Sequence, residues 1–271
     1  MDLTIVIVSW NTAALLEDCL CSIEATVEDL DCRVVVVDNA SPDSSPDMVE
    51  ANFPAVQLIR SSVNLGFAGG NNLGIRACDP DSPYILLLNS DTVVQPGALK
   101  TLIRFMDEHP ETGICGPRLL LPDGTPQHYS FGRDPTLPYL IARGLKQGLL
   151  GRSMHNWATE EVQKTDWVSG ACMLVRRSAI DQVGLLDERF FMYFEDNDWC
   201  LRMRKAGWEI RYFPDAAIVH LGGQSLKHSS ESDAVYYRSL LHFYAKHYGR
   251  RSQATLRALL FLAGRLPRAG T

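Results

Sequence analysis

Residues 194 to 202 read FEDNDWCLR, placing Glu195, Asp196 and Asp198 directly behind the aromatics Phe190, Phe191, Tyr193 and Phe194. Acids at the start of a helix have an ordinary use, because the free N–H groups and the dipole of a first turn attract negative charge. The stretch from Asp196 to Lys205, stopped by Gly207, has the pattern of such a helix. A second use is proton transfer: apolar surroundings raise a carboxylate's pKa, which suits a general base working near neutral pH. On these residues alone both uses stay open.

Asp91, in LLLNSDTVV, is a carboxylate at the end of an apolar run. It suits a hard divalent cation that keeps several waters and bridges phosphate oxygens. His220, in AIVHLGG, ends another such run, and imidazole accepts manganese and similar ions, although a lone histidine after a strand also serves structure. Further polar side chains follow two more apolar runs, Ser9-Trp10-Asn11 after the first and Asp38-Asn39 after the second. Between them and Asp91 lies NLGFAGGNNLG, residues 64 to 74, whose four glycines permit close backbone approach. A helix starting near Ala68 would present its N-terminus to an anion. The segment matches neither the dinucleotide fingerprint nor a P-loop.

The elements that must position these groups are legible as periodicity. TIVIV (4 to 8), VVVV (34 to 37) and YILLL (84 to 88) read as strands buried on both faces, separated by helix-compatible segments. The expected class is therefore α/β, with a mostly parallel sheet flanked by helices. Ligands of open α/β sheets bind beyond the carboxyl ends of the strands, so the three polar strand endings should converge on one crevice. Residues 96 to 108 read as a helix between Pro96 and Pro110; 167 to 177, 208 to 214 and 217 to 220 read as strands; and 232 to 248 as a helix. From 122 to 164 the pattern fades into Pro, Gly and polar residues, fitting an ordered insertion or a mobile loop. Residues 249 to 271 form a basic tail, with Arg250, Arg251, Arg257, Arg265 and Arg268 among leucines and no acid. It fits a segment lying on an anionic membrane as well as a helix packed on the domain.

Composition narrows the function. A net charge of −6 argues against nucleic acid as the main partner. The opening LTIVIVSW is not a secretory leader in pattern, and no apolar stretch reaches the ~20 residues of a membrane span. Seven scattered cysteines without a C-x-x-C pair fit a reducing cytoplasm. The expected location is cytoplasmic, with peripheral contact at the inner membrane face through the tail.

VSWN, VVVVDNAS, NLGFAGGNN, LLLNSDT, GACMLVRR, FFMYFEDNDWCLR and the strand-terminal VH at 219 to 220 together resemble glycosyltransferase family 2, and most of all its bacterial rhamnosyltransferase branch, over about residues 3 to 245. The resemblance implies a GT-A fold in residues 1 to 248, with a nucleotide-sugar half (1 to 121) and an acceptor half (122 to 248). It implies a donor site of Ser9, Asn11, Asp38, Asn64, Gly66, Phe67, Gly70, Asn71, Asn89, Ser90 and Asp91, in which Asp38 contacts the nucleoside. The acid ending the D-x-D-type motif, Asp91, would hold Mg2+ or Mn2+ on the diphosphate. Asn89 stands where many relatives have a first Asp, which draws His220 in as a second ligand. Asp196 matches the catalytic base of an inverting transfer, with Trp167, Gly170 and Glu195 on the acceptor side and Asp198 supporting the helix. The implied reaction moves a sugar, rhamnose from dTDP-rhamnose being favoured over UDP- or GDP-sugars, onto a glycan or polyprenol-linked glycan of the cell envelope. Two other readings stay open: a non-catalytic nucleotide- or glycan-binding module, and a sugar-phosphate nucleotidyltransferase, which would carry a Gly-rich basic loop where this chain has SWNTAA.

Overall fold

The structure is a computed structural model that describes residues 1–27, 30–151, 153–222 and 230–266. The last five residues of the tail, Arg268 among them, lie outside the described residues. In chain order the first half comprises β1 (Leu3–Ser9), α1 (Ala13–Glu24), β2 (Cys32–Asp38), α2 (Ser45–Asn52), β3 (Gln57–Arg60), α3 (Gly66–Arg76), β4 (Tyr84–Asn89), β5 (Thr92–Val94), α4 (Ala98–Glu108) and β6 (Thr112–Leu120). There follow β7 (Phe131–Gly132), α5 (Leu137–Leu150), β8 (Gln163–Lys164), β9 (Trp167–Val168), β10 (Cys172–Arg176), α6 (Arg177–Val183), α7 (Glu195–Lys205), β11 (Glu209–His220), α8 (Ser230–His247) and α9 (Gly249–Leu262).

The main sheet runs β3-β2-β1-β4-β10-β6-β11-β5. The first four strands are parallel; the Val/Ile/Leu runs that announced β1, β2 and β4 are buried on both faces, Ile5, Val6, Ile7, Val36 and Leu86 being fully so, whereas the short edge strand β3, half-exposed, was not read from the sequence. β10 then runs antiparallel between β4 and β6, and β11 returns parallel to β6. This gives a mixed sheet in which the parallel part carries the expected strand endings. Two cores cover its faces. On one, α1 and α4 pack through Leu16, Leu20, Leu102 and Phe105; on the other, α3, α6 and α7 pack through Ile75, Ile180, Trp199 and Met203.

Three expectations change in detail. The strand read over 167 to 177 is two strands, β9 and β10, parted at Ser169-Gly170-Ala171. The strands read at 208 to 214 and 217 to 220 are one, β11, with a register shift between Phe213 and Ala217; such an irregularity bends a strand, and Pro214 in it lacks the N–H that regular pairing uses. The aperiodic stretch from 122 to 164 contains a helix, α5, whose Leu137 and Leu140 pack on a third cluster built around Phe243 and Tyr244 of α8. The tail forms α9, and its Leu256 and Leu260 bury into the same cluster, as the packing reading of that segment requires. No helix among the described residues is long and apolar enough to cross a membrane.

Candidate active site

The parallel register sets Ser9 beside Asp38 and Val8 beside Asn89, so the strand endings form one rim. Of the expected donor residues, Ser9 and Ser90 are buried and point at each other through a residue the sequence did not single out. Thr12 Oγ1 lies 3.0 Å from both Ser9 Oγ and Ser90 Oγ. Both serines are thereby spent on positioning the turn that carries Asp91. Asn11 is exposed, left-handed in backbone at φ 58, and its N–H donates to Ser41 Oγ at 3.0 Å.

Asp38 is 4% exposed. One carboxylate oxygen accepts from Ser41 N at 3.2 Å, whereas Oδ1 has no hydrogen-bond partner. A buried carboxylate oxygen without a donor is costly, and it is a ready acceptor for an N–H of a ligand at the strand ends. Its neighbour Asn39, missed as a site residue, ties the second strand to the glycine-rich segment: Nδ2 donates to Asn64 Oδ1 (2.9 Å) and Gly66 O (3.1 Å), and Oδ1 accepts from Leu65 N (2.8 Å).

The start of α3 overturns the anion-site expectation. The Leu65 N–H is taken by Asn39, the Gly66 N–H donates to Asn64 Oδ1 (2.9 Å), and the Phe67 N–H donates to Phe191 O (2.7 Å). These donors, which would have met an anion, are satisfied within the protein. Gly66 sits at φ 70, and a Cβ there would stand 2.4 Å from Phe191 O, so only glycine allows this junction. Gly70 and Asn71 face inward as well. Gly70 rests on Val8, and Asn71 Nδ2 donates to Phe67 O. Asn72, also missed, exchanges hydrogen bonds with Leu186 and donates to Glu188, fixing the loop before the aromatic run.

At the other end of the rim, bent β11 brings His220 opposite Thr92. His220 Nε2 lies 3.2 Å from Asp91 Oδ1 and 3.3 Å from Asn89 Nδ2, while Nδ1 meets Gln127 Oε1 at 2.8 Å. Gln127 was not legible as a site residue. In the neutral tautomer with hydrogen on Nδ1 donated to Gln127 Oε1, the Nε2 lone pair faces Asn89 Nδ2 and the Asp91 carboxylate. Two electron-pair donors facing each other suit a divalent cation, and one carboxylate plus one imidazole leaves room for water and diphosphate oxygens. No group of three or more His, Cys, Asp or Glu placed to hold a metal ion occurs among the described residues.

The three carboxylates of the opening segment have separate environments. Asp196 Oδ1 accepts from Asn197 N (2.7 Å) and Oδ2 from Gly170 N (3.2 Å); Phe67 packs against Gly170. Burial raises the Asp196 pKa above the ordinary carboxylate range against the pull of those N–H groups. Glu195 is 5% exposed with Oε2 unpartnered, and burial, followed by repulsion from Asp196, raises it well above that range. Burial thus favours the protonated form of both carboxyls, and more strongly that of Glu195. Trp167, expected on the acceptor side, donates its indole N–H to Arg133 O at 2.9 Å and covers Gly132. Tyr193 and Phe194, immediately before the acids, hold left-handed backbones at φ 67 and 68, a strain that persists only where surrounding structure imposes it.

Comparison with known proteins agrees with this geometry. Residues 4–184 match the family described as glycosyl transferase family 2. An N-acetylglucosaminyl-diphospho-decaprenol L-rhamnosyltransferase of Mycobacterium tuberculosis is 33% identical, covering 94% of this chain and 88% of its own. A dTDP-rhamnosyl transferase of Shigella flexneri is 28% identical over 74% of this chain and 64% of its own. A mannosyltransferase of Pyrobaculum calidifontis, solved in complex with GDP-Man and Mn2+, shares the fold at a TM-score of 0.63 and 17% identity, over 98% of this chain and 76% of its own. With its mixed sheet of GT-A type and helices on both faces, the chain belongs to glycosyl transferase family 2.

Proposed function

We propose that this protein is an inverting, metal-dependent glycosyltransferase that moves rhamnose from dTDP-rhamnose to a hydroxyl of a polyprenol-linked glycan in cell-envelope synthesis. The observation that carries the reading is the placement of Asp196. It is a carboxylate oriented by two backbone N–H groups, beside the buried Glu195, and one of those groups, Gly170 N–H, precedes Ala171, whose carbonyl accepts from Asn89 N–H at 2.9 Å at the strand ending that leads to Asp91. The 1–121 half would hold the donor and the 122–248 half the acceptor.

In this mechanism Asp38 Oδ1 accepts an N–H of the nucleoside base, and the Ser9–Thr12–Ser90 chain keeps the Asp91 turn rigid. Asp91 and His220 Nε2 would hold Mg2+ or Mn2+, which when bound neutralises charge on the departing diphosphate. Asp196 takes the proton from the acceptor hydroxyl as its oxygen attacks the anomeric carbon from the face opposite the diphosphate, which inverts the centre. A raised pKa strengthens the Asp196 carboxylate as a base. Neutral Glu195 donates a hydrogen bond to an acceptor hydroxyl rather than repelling the base. The aromatic wall of Phe67, Tyr193 and Trp167 excludes water and offers faces for sugar rings.

The similarity to a rhamnosyltransferase whose named acceptor is N-acetylglucosaminyl-diphospho-decaprenol supports rhamnose and a lipid-linked acceptor. Titration calorimetry with dTDP, UDP and GDP, with and without Mn2+, tests the donor half. Tight, metal-dependent binding of dTDP is expected. Failure of all three nucleotides in folded protein would favour a non-catalytic glycan-binding module.

A further inference from the structure

The third apolar cluster is covered by two helices, α5 and α9, that each bury one face and leave another to solvent. In α9, Leu256 and Leu260 pack inward while Leu259, Phe261 and Leu262 are 39%, 71% and 80% exposed, the last two being the most exposed large apolar side chains described. In α5, Leu137 and Leu140 pack on the cluster, whereas Ile141 and Leu145, one turn apart, are 50% and 57% exposed. Helical spacing aligns Arg251 with Leu262, and Arg250 and Arg257 with Phe261, so cations and apolar side chains share the outward stripes of α9. α5 also carries the half-buried cations Arg143, which lies over the Tyr139 ring, and Lys146.

The charge pattern selects the partner. The two helices carry five Lys or Arg residues and no acid, in a chain whose net charge is −6. A protein partner would need an acidic, apolar surface of matching shape, whereas an anionic bilayer supplies negative charge and an apolar layer beneath it over any contour. We propose that α5 and α9 together form a surface that seats the protein on anionic phospholipid, their arginines and lysine at the headgroups and Ile141, Leu145, Leu259, Phe261 and Leu262 inserted just below. Two modest elements acting together suit this role, because weak interfacial contacts anchor stably only in combination. The surface does not depend on the sugar-transfer reading, since none of its residues takes part in the crevice.

The test is co-sedimentation of the full chain with vesicles of mixed phosphatidylglycerol and phosphatidylcholine, against phosphatidylcholine alone, at low and raised salt. Binding is expected to the anionic vesicles, falling at least about tenfold without the anionic lipid or at raised salt. F261D/L262D and I141D/L145D should each weaken it by about tenfold or more, with circular dichroism and melting temperature unchanged because all four side chains are exposed. No binding to anionic vesicles, binding indifferent to lipid charge, or either double variant leaving it intact would overturn the proposal. A dimer in light scattering that F261D/L262D abolishes, without vesicle binding, would assign the surface to a second copy of the chain. Loss of dTDP binding would bear on the proposed function and leave this result untouched.

Discussion

The two sides of the first turn of α7 handle negative charge in opposite ways. Asp198, fully buried, lies 2.6 Å from both Lys246 Nζ and His247 Nε2 and 2.8 Å from Arg202 Nε. Burial pushes its pKa up, but His247, Lys246 and Arg202 outweigh it and hold the carboxyl below the ordinary range. Glu195 and Asp196, at most three positions away, have no cation partner among the described residues and are both raised. One side of the turn is an anchor that clamps α8 onto the domain; the other is kept unpaired at a crevice. Neutralising every buried acid would have stabilised the fold, so the missing counter-charge at Glu195 and Asp196 marks the reactive side.

The contrast can be broken one carboxylate at a time. The largest effect belongs to Asp196→Asn, expected to lower transfer by about 10^3-fold, the scale of a lost general base, with dTDP affinity by calorimetry unchanged. Asp198→Asn should leave Lys246, Arg202 and the His247 imidazole around a neutral amide and cost about 3 kcal/mol of stability in denaturant titration, as when one partner of a buried ion pair is removed. Gln127→Ala frees the His220 ring and should weaken Mn2+ binding about tenfold, read by calorimetry with the metal alone. Smallest is Glu195→Gln, which replaces a neutral carboxylic acid by a neutral amide and should change stability near neutral pH by less than about 1 kcal/mol.

Stability against pH sharpens the same contrast, because the two shifts have opposite signs. Asp198 is depressed, so its contribution is present above the unfolded value of about 3.9 and is lost as pH falls through its folded value. Glu195 is raised, so its contribution is present below the unfolded value of about 4.3 and is lost as pH rises through its folded value. Thermal melts across pH should therefore show Asp198→Asn flattening the loss of stability on the acid side of the profile and Glu195→Gln flattening the loss toward neutral and alkaline pH. A single flattened limb common to both variants would mean the two acids share one environment.

Much of this arrangement is written in local pattern. The continuous apolar runs dictated the parallel strands, and the polar residues that follow them, Asp38, Asn89, Asp91 and His220, lie at one rim because parallel strands end together. What the pattern hides are partnerships across long sequence separations. Gln127 is 93 residues from His220, and Thr12 is 78 residues from Ser90; neither hydroxyl nor amide has a periodicity to betray it. The anion reading of the glycine-rich segment failed for a related reason: its first N–H groups are taken by Asn39, Asn64 and Phe191, two of them on other elements. α5 escaped notice because LPYLIARGLKQGLL is apolar on more than one side, which obscures a helical stripe.

The most direct test of the central claim, that Asp196 is the charged base and Glu195 its neutral neighbour, is the pH dependence of kcat/KM for rhamnosyl transfer in the natural protein and in Glu195→Gln. The account predicts that activity falls with decreasing pH through a single carboxyl pKa above the ordinary aspartate value of about 3.9, and that this limb keeps its place in Glu195→Gln. A limb that vanishes in Glu195→Gln would make Glu195 the base and contradict the assignment.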